Sequence, residues 1–174
     1  MQDQEQRPNE GNTSSEDRYI LEQKCLLDLR MFIEKAVHEY FMATYCPKND
    51  VRLRITQSWL NWSKPGEWHH QHAHPNSVIS GCYYVNANKL TDKIYFFRTD
   101  YRCIKFPPAE WNHYNSDSWW YSVGTGDLVL FPSSLSHKVE PVEGTDTRLS
   151  LAFNTFPVGH VGSEDELTAL YLEK

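Results

Sequence analysis

The sequence predicts a mainly β domain, either a sandwich or a barrel, with one long helix packed on the sheet near the N-terminus. From residue 51 onward, short runs of β-branched and aromatic residues alternate with turn residues such as Lys64-Pro65-Gly66. Before Pro47, apolar residues instead recur at three- and four-residue steps. The chain has 174 residues, of which 40% are hydrophobic, and this is enough to bury a core. These three observations predict the fold class.

The N-terminal region divides into two predicted segments. Residues 1–13 are polar and include Pro8 and Gly11, so we expect a disordered tail. Residues 14–46 predict a helix, because Ser14 and Asp17 have the spacing of a capping box. Its apolar residues fall on one face, which we expect to pack on the sheet: Leu26, Leu29, Ile33, Val37 and Tyr40.

Residues 51–160 predict the β domain itself. A loop over residues 99–121 is rich in aromatic side chains and is typical of a binding loop or lid. Residues 161–174 are expected to form a C-terminal tail or a short helix. His137 and Val139 are expected on one further short strand. The other expected strands are Val51–Trp62, Trp68–His74, Val78–Val85, Ile94–Arg98, Trp119–Val123, Leu128–Phe131 and Thr147–Phe153.

Charge and composition exclude several classes of partner. The net charge of −6 argues against nucleic-acid and anionic-membrane binding, both of which need a positive surface. No apolar stretch reaches the roughly 18–20 residues that span a bilayer, and the N-terminus lacks the apolar core of a signal peptide. The four cysteines form no C-x-x-C pair. We therefore expect a cytoplasmic protein that acts on a small molecule or a peptide.

Histidines are concentrated in one short segment, where positions 69–74 hold four of the eight. Because alternate side chains of a strand share a side, His70, His72 and His74 should face one way and His69 the other. A His-x-His pair at a strand end, joined by His137 from a later strand, is typical of a metal site. Two registers remain open, since His70 with His72 has the same spacing as His72 with His74. Any one of these histidines alone would more often be structural.

Arg148 predicts an anion-binding position. It alternates with leucines and shares a strand face with Ser150 and Asn154. An arginine that points into a barrel is costly unless an anion meets it. The distal carboxylate of a dicarboxylate would satisfy its guanidinium fork, with Ser150 as an additional donor. The alternative is a surface salt bridge to one of three carboxylates, Asp146, Glu140 or Glu143.

Taken in order, these residues resemble the signature of the Fe(II)/2-oxoglutarate-dependent dioxygenases, which is H-x-D/E, a distal histidine and an arginine about ten residues later. The matching residues are His72, His74, His137 and Arg148. The likeness is closest to the prolyl-hydroxylase-like branch with its phage and bacterial relatives, and it covers about residues 51–156. The triplet Tyr84-Val85-Asn86 also resembles the Tyr-Leu-Asn of that branch.

The resemblance implies a double-stranded β-helix, a jelly-roll or cupin-like barrel, that holds Fe(II) on His72, His74 and His137. It also implies that 2-oxoglutarate meets Arg148 and Tyr84, with Ser150 and Asn154 beside it, that O2 is the oxidant and that ascorbate stimulates turnover. The implied reaction is hydroxylation of a small molecule or a side chain with release of succinate. A bacterial or phage gene is expected, and a homodimer is compatible with the sequence. His74 stands where the family pattern has a carboxylate, although phage and bacterial relatives also carry H-x-H.

Two other classes compete with this interpretation. Gly66, His72 and His74 match the start of the first cupin motif, but Val78 and Ile79 stand where a cupin has its glutamate. A cupin would bind metal through the same histidines without using 2-oxoglutarate. A carbohydrate-binding jelly roll with a solvated histidine cluster is the third class. Neither alternative would form succinate.

Overall fold

The computed structural model describes residues 4–98, 104 and 106–173. Within them, none of the helices is long and apolar enough to cross a membrane. Two 3-10 turns, Ile20–Glu22 and Lys24–Leu26, lead into the helix α1, Leu27–Thr44. The strands are β1 Gln6–Asn9, β2 Asn12–Ser15, β3 Val51–Ser63, β4 His69–His72, β5 Ile79–Asn86, β6 Lys93–Phe97, β7 Ser118–Ser122, β8 Leu128–Pro132, β9 His137–Val139, β10 Arg148–Val161 and β11 Leu170–Leu172.

Strands β3 to β10 form a double-stranded β-helix. The major sheet has the order β3-β10-β5-β8 and the minor sheet the order β4-β9-β6-β7. Neighbouring strands in both sheets are antiparallel. β1 and β2 extend the major sheet beyond β3, and β11 pairs with β10. The predicted fold class is confirmed.

Helix α1 packs on the outer face of the major sheet. Its buried residues Ile33 and Val37 join a core cluster that includes Leu60, Leu151 and Phe153. Along β10, Leu149, Leu151 and Phe153 belong to this core, and the residues that alternate with them, Arg148, Ser150 and Ala152, line the barrel interior. The predicted packing of the helix on the sheet is therefore observed, and it leaves the opposite face of the sheet free to build a site.

The barrel interior holds a second, smaller core. Tyr84, Ile94, Val123 and Phe131 are buried there, with Phe96 and other partly buried residues packed around them. They come from strands and loops of both sheets and hold the two layers together. A metal site at one end of this core would therefore be shielded from bulk water.

The N-terminal segment differs from the prediction. Residues 6–15 form the β1–β2 hairpin instead of a disordered tail, and α1 begins at Leu27 instead of residue 14. The hairpin exists because β2 pairs with the edge of β3, through backbone hydrogen bonds that do not depend on side-chain polarity. The serine of the expected capping box lies in β2, and the Ser15 hydroxyl accepts a hydrogen bond from the Leu60 amide at 3.0 Å. Pro8 lies on the edge strand, where proline is tolerated.

The C-terminal segment differs as well. β10 continues to Val161, and residues 170–172 form β11 on its edge instead of a tail or helix. Gly159 lies inside this strand, where it has φ +110 and packs directly against the backbone of Asp50. The glycine therefore marks a close backbone approach within a long strand.

Gly81 on β5 gives a stability prediction. A Cβ at this position would overlap the Phe153 ring and lie 2.8 Å from Leu130 Cδ2. Because Phe153 is fully buried, we expect Gly81→Ala to lower the free energy of unfolding by about 1–3 kcal/mol. Gly144→Ala is the matched control, since a Cβ there meets nothing within 4 Å. Chemical denaturation of the two variants checks this, and equal stability would show that the packing around Gly81 is loose.

Candidate metal site and adjoining pocket

Three histidines from two strands of the minor sheet and the turn after β4 meet at one point. The candidate ligand nitrogens of His72, His74 and His137 all lie within 4.8 Å of one another. His72 and His137 are directly opposite in the β4–β9 ladder, and His74 follows the end of β4. The Nε2 atoms of His74 and His137 are 3.3 Å apart. Two imidazoles on one ion at about 2.1 Å are separated by roughly 3.0–3.4 Å, so the spacing suits a shared cation.

Backbone carbonyls fix which nitrogen each ring offers. His72 Nδ1 lies 2.8 Å from the His70 carbonyl, and His137 Nδ1 lies 3.0 Å from the Leu135 carbonyl. Because a carbonyl only accepts, each Nδ1 must carry the hydrogen, and each Nε2 keeps its lone pair. These contacts are the outer-shell bonds that orient metal-binding histidines.

The surroundings keep these rings neutral. Burial lowers the pKa of His74 to about 3, with the neighbouring histidines adding to the effect. Burial also lowers the pKa of His137 to about 4, against a smaller opposite effect of its bond to the Leu135 carbonyl. The pKa of His72 is lowered by burial too. Neutral imidazole is the form that binds metals.

These lowered pKa values predict how the metal-free protein responds to pH. As pH falls below about 6.5, the ordinary histidine pKa, these histidines bind protons in the unfolded chain but stay neutral in the folded protein. The free energy of unfolding should therefore decrease from pH 7 to pH 5, by up to about 1.4 kcal/mol per pH unit for each such histidine. Urea denaturation at the two pH values tests this, and His74→Gln should show a smaller decrease. A wild-type protein that is equally stable at both would contradict the assignment.

Sequence reasoning missed His69. Strict alternation of side chains places His69 on the other side of the strand from His72. However, the β4–β9 register shifts between His69 and His72. The bulge turns His69 toward the same pocket as His72 and His74, and its ring stacks on that of His72 with 4.7 Å between centroids. Burial lowers the pKa of His69 to about 3. Bulges of this kind leave no sequence signature beyond the clustered histidines themselves.

His70 takes a different position. It is near Glu10, with 3.8 Å from its Nδ1 to a carboxylate oxygen, and it is not among the residues that line the pocket. The nitrogens of His69, His70 and His72 also lie within 4.8 Å of one another, but this group lacks His137. The group of His72, His74 and His137 combines ligands from two separated parts of the chain. This favours His72 with His74, instead of His70 with His72, as the His-x-His pair of the metal site.

Arg148 is buried, as predicted, but it has a partner within the protein. Its Nη1 lies 2.9 Å from an Asp92 carboxylate oxygen, and the two side chains are 4% and 5% exposed. The Glu140 carbonyl accepts two longer bonds, both 3.3 Å, from Nη1 and Nη2. None of the three carboxylates considered from the sequence is the partner, since Asp92 comes from a turn 56 residues earlier. Within the described residues, Nε of Arg148 makes no hydrogen bond and can still donate.

Tyr84 contributes an unsatisfied donor. Its side chain is 1% exposed and lines the same pocket as Arg148 and the three histidines. By hydrogen-bond geometry its hydroxyl has no partner among the described residues, and the Cys82 thiol beside it is only a weak one. Burial raises the pKa of Tyr84 well above its usual value, so the hydroxyl stays protonated. An orphaned donor of this kind suits an incoming anion.

Of the two other residues predicted to lie beside the co-substrate, one lines the pocket and one does not. Ser150 is buried, lines the pocket and pairs with Tyr84 across the β10–β5 ladder. Asn154 does not line the pocket, because its Oδ1 accepts a hydrogen bond from the Ser80 hydroxyl at 2.7 Å. The prediction placed Asn154 on the same strand face as Arg148 and Ser150. A register shift beside Asn154 interrupts that alternation of side chains. Its predicted contact with a co-substrate therefore has no support in the structure.

The pocket is narrow and is closed partly by the N-terminal hairpin. Its free space is about 40 Å³, room for one or two water molecules, so lining side chains must shift when a larger molecule enters. Asn12 and Asn61 line it as well, and neither was predicted.

In the predicted loop, residues 99–103 and 105 lie outside the described residues. The described part of 99–121 supplies no lining residue to this pocket.

A family model described as "Putative 2OG-Fe(II) oxygenase" matches residues 57–154. The matched region begins in β3, ends in β10, and contains the three histidines of the site together with Tyr84 and Arg148. No curated protein matches the sequence.

Solved structures share the fold at low sequence identity. A 2OG-Fe(II) oxygenase family oxidoreductase from Burkholderia pseudomallei has a TM-score of 0.60 at 11% identity, over 89% of this chain and 73% of that one. HygX from Streptomyces hygroscopicus, solved with nickel, 2-oxoglutarate and hygromycin B, has a TM-score of 0.58 at 11% identity, over 99% and 84%. A Pseudomonas putida prolyl-4-hydroxylase has a TM-score of 0.57 at 15% identity, over 87% and 78%. At these identities the likeness shows the fold alone.

Proposed function

The chain belongs to the 2OG-Fe(II) oxygenase family, whose metal, co-substrate and oxidant are Fe(II), 2-oxoglutarate and O2, and from this premise we propose that it is a hydroxylase. Its substrate is an unactivated C–H bond of a small molecule or of an amino-acid side chain, and its co-products are succinate and CO2. One observation supports this most strongly. Three neutral imidazoles converge beside a pocket that also holds a buried guanidinium and an orphaned tyrosine hydroxyl.

The histidines would hold iron through three nitrogens. The hydrogen bonds from Nδ1 to backbone carbonyls keep the rings of His72 and His137 in place before the metal arrives. Three protein ligands leave positions for a co-substrate and O2. His74 in place of a carboxylate leaves the site one positive charge higher, which strengthens its attraction for a dianion.

Arg148 and Tyr84 would receive the distal carboxylate of 2-oxoglutarate. Tyr84 donates its free hydroxyl, and Arg148 donates from the part of its guanidinium that Asp92 does not use. Asp92 holds the guanidinium in one orientation, so little side-chain entropy is lost when the carboxylate arrives. Hydrogen bonds between charged groups in a dry pocket are strong and directional.

The protein contributes geometry and exclusion of water. Iron and 2-oxoglutarate, when bound, supply the oxidising chemistry that inserts one oxygen atom of O2 into a C–H bond. Ile94, Phe131, Val139 and Trp59 line the pocket with apolar surface. This surface limits the access of bulk water to the reacting atoms.

Succinate formation tests the proposal. Purified protein with Fe(II), 2-oxoglutarate, ascorbate and O2 should release succinate slowly even without its primary substrate, and faster with it. His74→Ala should release none above background. A wild-type protein that binds both iron and 2-oxoglutarate yet forms no succinate with any substrate offered would contradict the proposed reaction. Absence of succinate is also the result expected of a metal-binding cupin.

A further inference from the structure

Two buried asparagines leave hydrogen-bonding atoms unused inside the pocket. Asn12 is 6% exposed and Asn61 is 5% exposed, and both line the pocket. Asn12 Nδ2 and Asn61 Oδ1 have no partner among the described residues. An unpaired buried donor or acceptor costs free energy, so such atoms are rare unless a ligand or water meets them.

The fold places the two side chains side by side. Ser14 pairs directly with Asn61 in the β2–β3 ladder. Asn12 lies two residues before Ser14, so its side chain and that of Asn61 share one face and are diagonal neighbours. The Gly11 carbonyl accepts a hydrogen bond of 2.9 Å from the Trp68 amide, which anchors the hairpin next to β4 and the histidines.

The bonds already present limit what these amides can offer. Asn12 Oδ1 accepts a hydrogen bond from Asn9 Nδ2 at 2.9 Å, which leaves Asn12 with a free N–H. Asn61 makes no side-chain hydrogen bond with any described residue. Its amide can therefore both donate and accept toward the pocket.

2-Oxoglutarate cannot satisfy this pair. Its carboxylates and keto group only accept hydrogen bonds, whereas Asn61 Oδ1 needs a donor. A cation is disfavoured, because no described carboxylate lines the pocket, and an anion without an N–H or O–H would leave Asn61 Oδ1 without a donor. The group that fits is uncharged and carries an N–H or O–H beside an acceptor.

We propose that Asn12 and Asn61 form the subsite for the primary substrate and hold an uncharged amide or hydroxyl group. This inference rests on the proposed function, since it assumes that the histidines and Arg148 serve iron and 2-oxoglutarate. Asn12 donates to the oxygen of the substrate group, and Asn61 accepts its hydrogen. The N-terminal hairpin thereby becomes part of the site.

Four small probes of nearly the same shape test the subsite on the full-length protein loaded with redox-inert Zn(II) and saturated with 2-oxoglutarate, which occupies the metal and Arg148. They are isobutyramide, 3-methyl-2-butanone, isobutyrate and isobutylammonium, titrated by saturation-transfer NMR. Isobutyramide should bind at least about fivefold more tightly than the ketone, which lacks the N–H donor, and than either ion. Absence of isobutyramide binding, or equal affinity for the amide and the ketone, would overturn the proposal.

Asn12→Leu and Asn61→Leu keep the side-chain volume and remove the hydrogen bonds. Asn61→Leu should abolish the preference for isobutyramide over the ketone, because it removes the acceptor for the N–H. Asn12→Leu should weaken the binding of both probes, because it removes the donor to the oxygen that they share. Iron and 2-oxoglutarate affinity should change by less than about twofold in either variant. A preference that survives in Asn61→Leu, or an unchanged affinity for both probes in Asn12→Leu, rejects the subsite. If the wild-type protein binds neither iron nor 2-oxoglutarate, the proposed function has failed instead, and the probe comparison on metal-free protein still decides the subsite.

Discussion

Replacement of His137 by alanine is expected to abolish iron binding. His137 is the ligand from β9, and its Nε2 lies 3.3 Å from that of His74. Loss of outer-shell partners already lowers metal affinity by 10–100-fold, so loss of a direct ligand should lower it by more than about 100-fold. Anaerobic titration with Fe(II), followed by metal analysis of the desalted protein, measures this. Succinate formation should disappear with the iron.

His70→Ala is the matched control for that experiment. The sequence left open whether His70 or His74 completes the site, and the structure places His70 next to Glu10 and outside the pocket lining. We therefore expect His70→Ala to bind iron as the wild type does, and His74→Ala to lose it. The opposite result would assign the site to His69, His70 and His72.

Loss of the guanidinium of Arg148 is expected to weaken 2-oxoglutarate binding by about 2–5 kcal/mol, the cost of removing one partner of a buried charged contact. The single change Arg148→Ala would also leave Asp92 buried and unpaired, which by itself destabilises a fold by about 3–5 kcal/mol. The double variant Asp92→Asn/Arg148→Met removes both charges and avoids this second cost. Isothermal titration of the Fe(II)-loaded, oxygen-free protein compares it with the wild type.

Iron affinity is the internal control for the double variant. Neither Asp92 nor Arg148 belongs to the histidine group, so iron should bind normally. Unchanged affinity for 2-oxoglutarate would mean that Arg148 only forms a structural ion pair with Asp92. The distal carboxylate would then have to bind elsewhere.

The sequence predicted those features that depend on short-range patterns. The alternation of Arg148 and Ser150 with leucines on β10 predicted which side chains enter the barrel, and the His-x-His spacing predicted two of the converging histidines. The expectation that His137 joins them from a later strand agrees with its position opposite His72 in the minor sheet. Strands β3 to β9 lie close to the predicted ranges.

The features that sequence reasoning missed depend on long-range pairing. The bulge that brings His69 into the pocket and the pairing of Asp92 with Arg148 join residues whose contact no local pattern indicates. The N-terminal hairpin has the polarity of a disordered tail and folds because β3 offers it an edge. Asn12 reaches the pocket only because that hairpin forms.

Direct location of the metal is the most decisive measurement for this account. Crystals grown without oxygen in the presence of Fe(II), with data collected at the iron absorption edge, should show one strong anomalous peak about 2 Å from the Nε2 atoms of His72, His74 and His137. A peak among His69, His70 and His72, or no ordered peak beside His137 at full iron loading, would contradict the account.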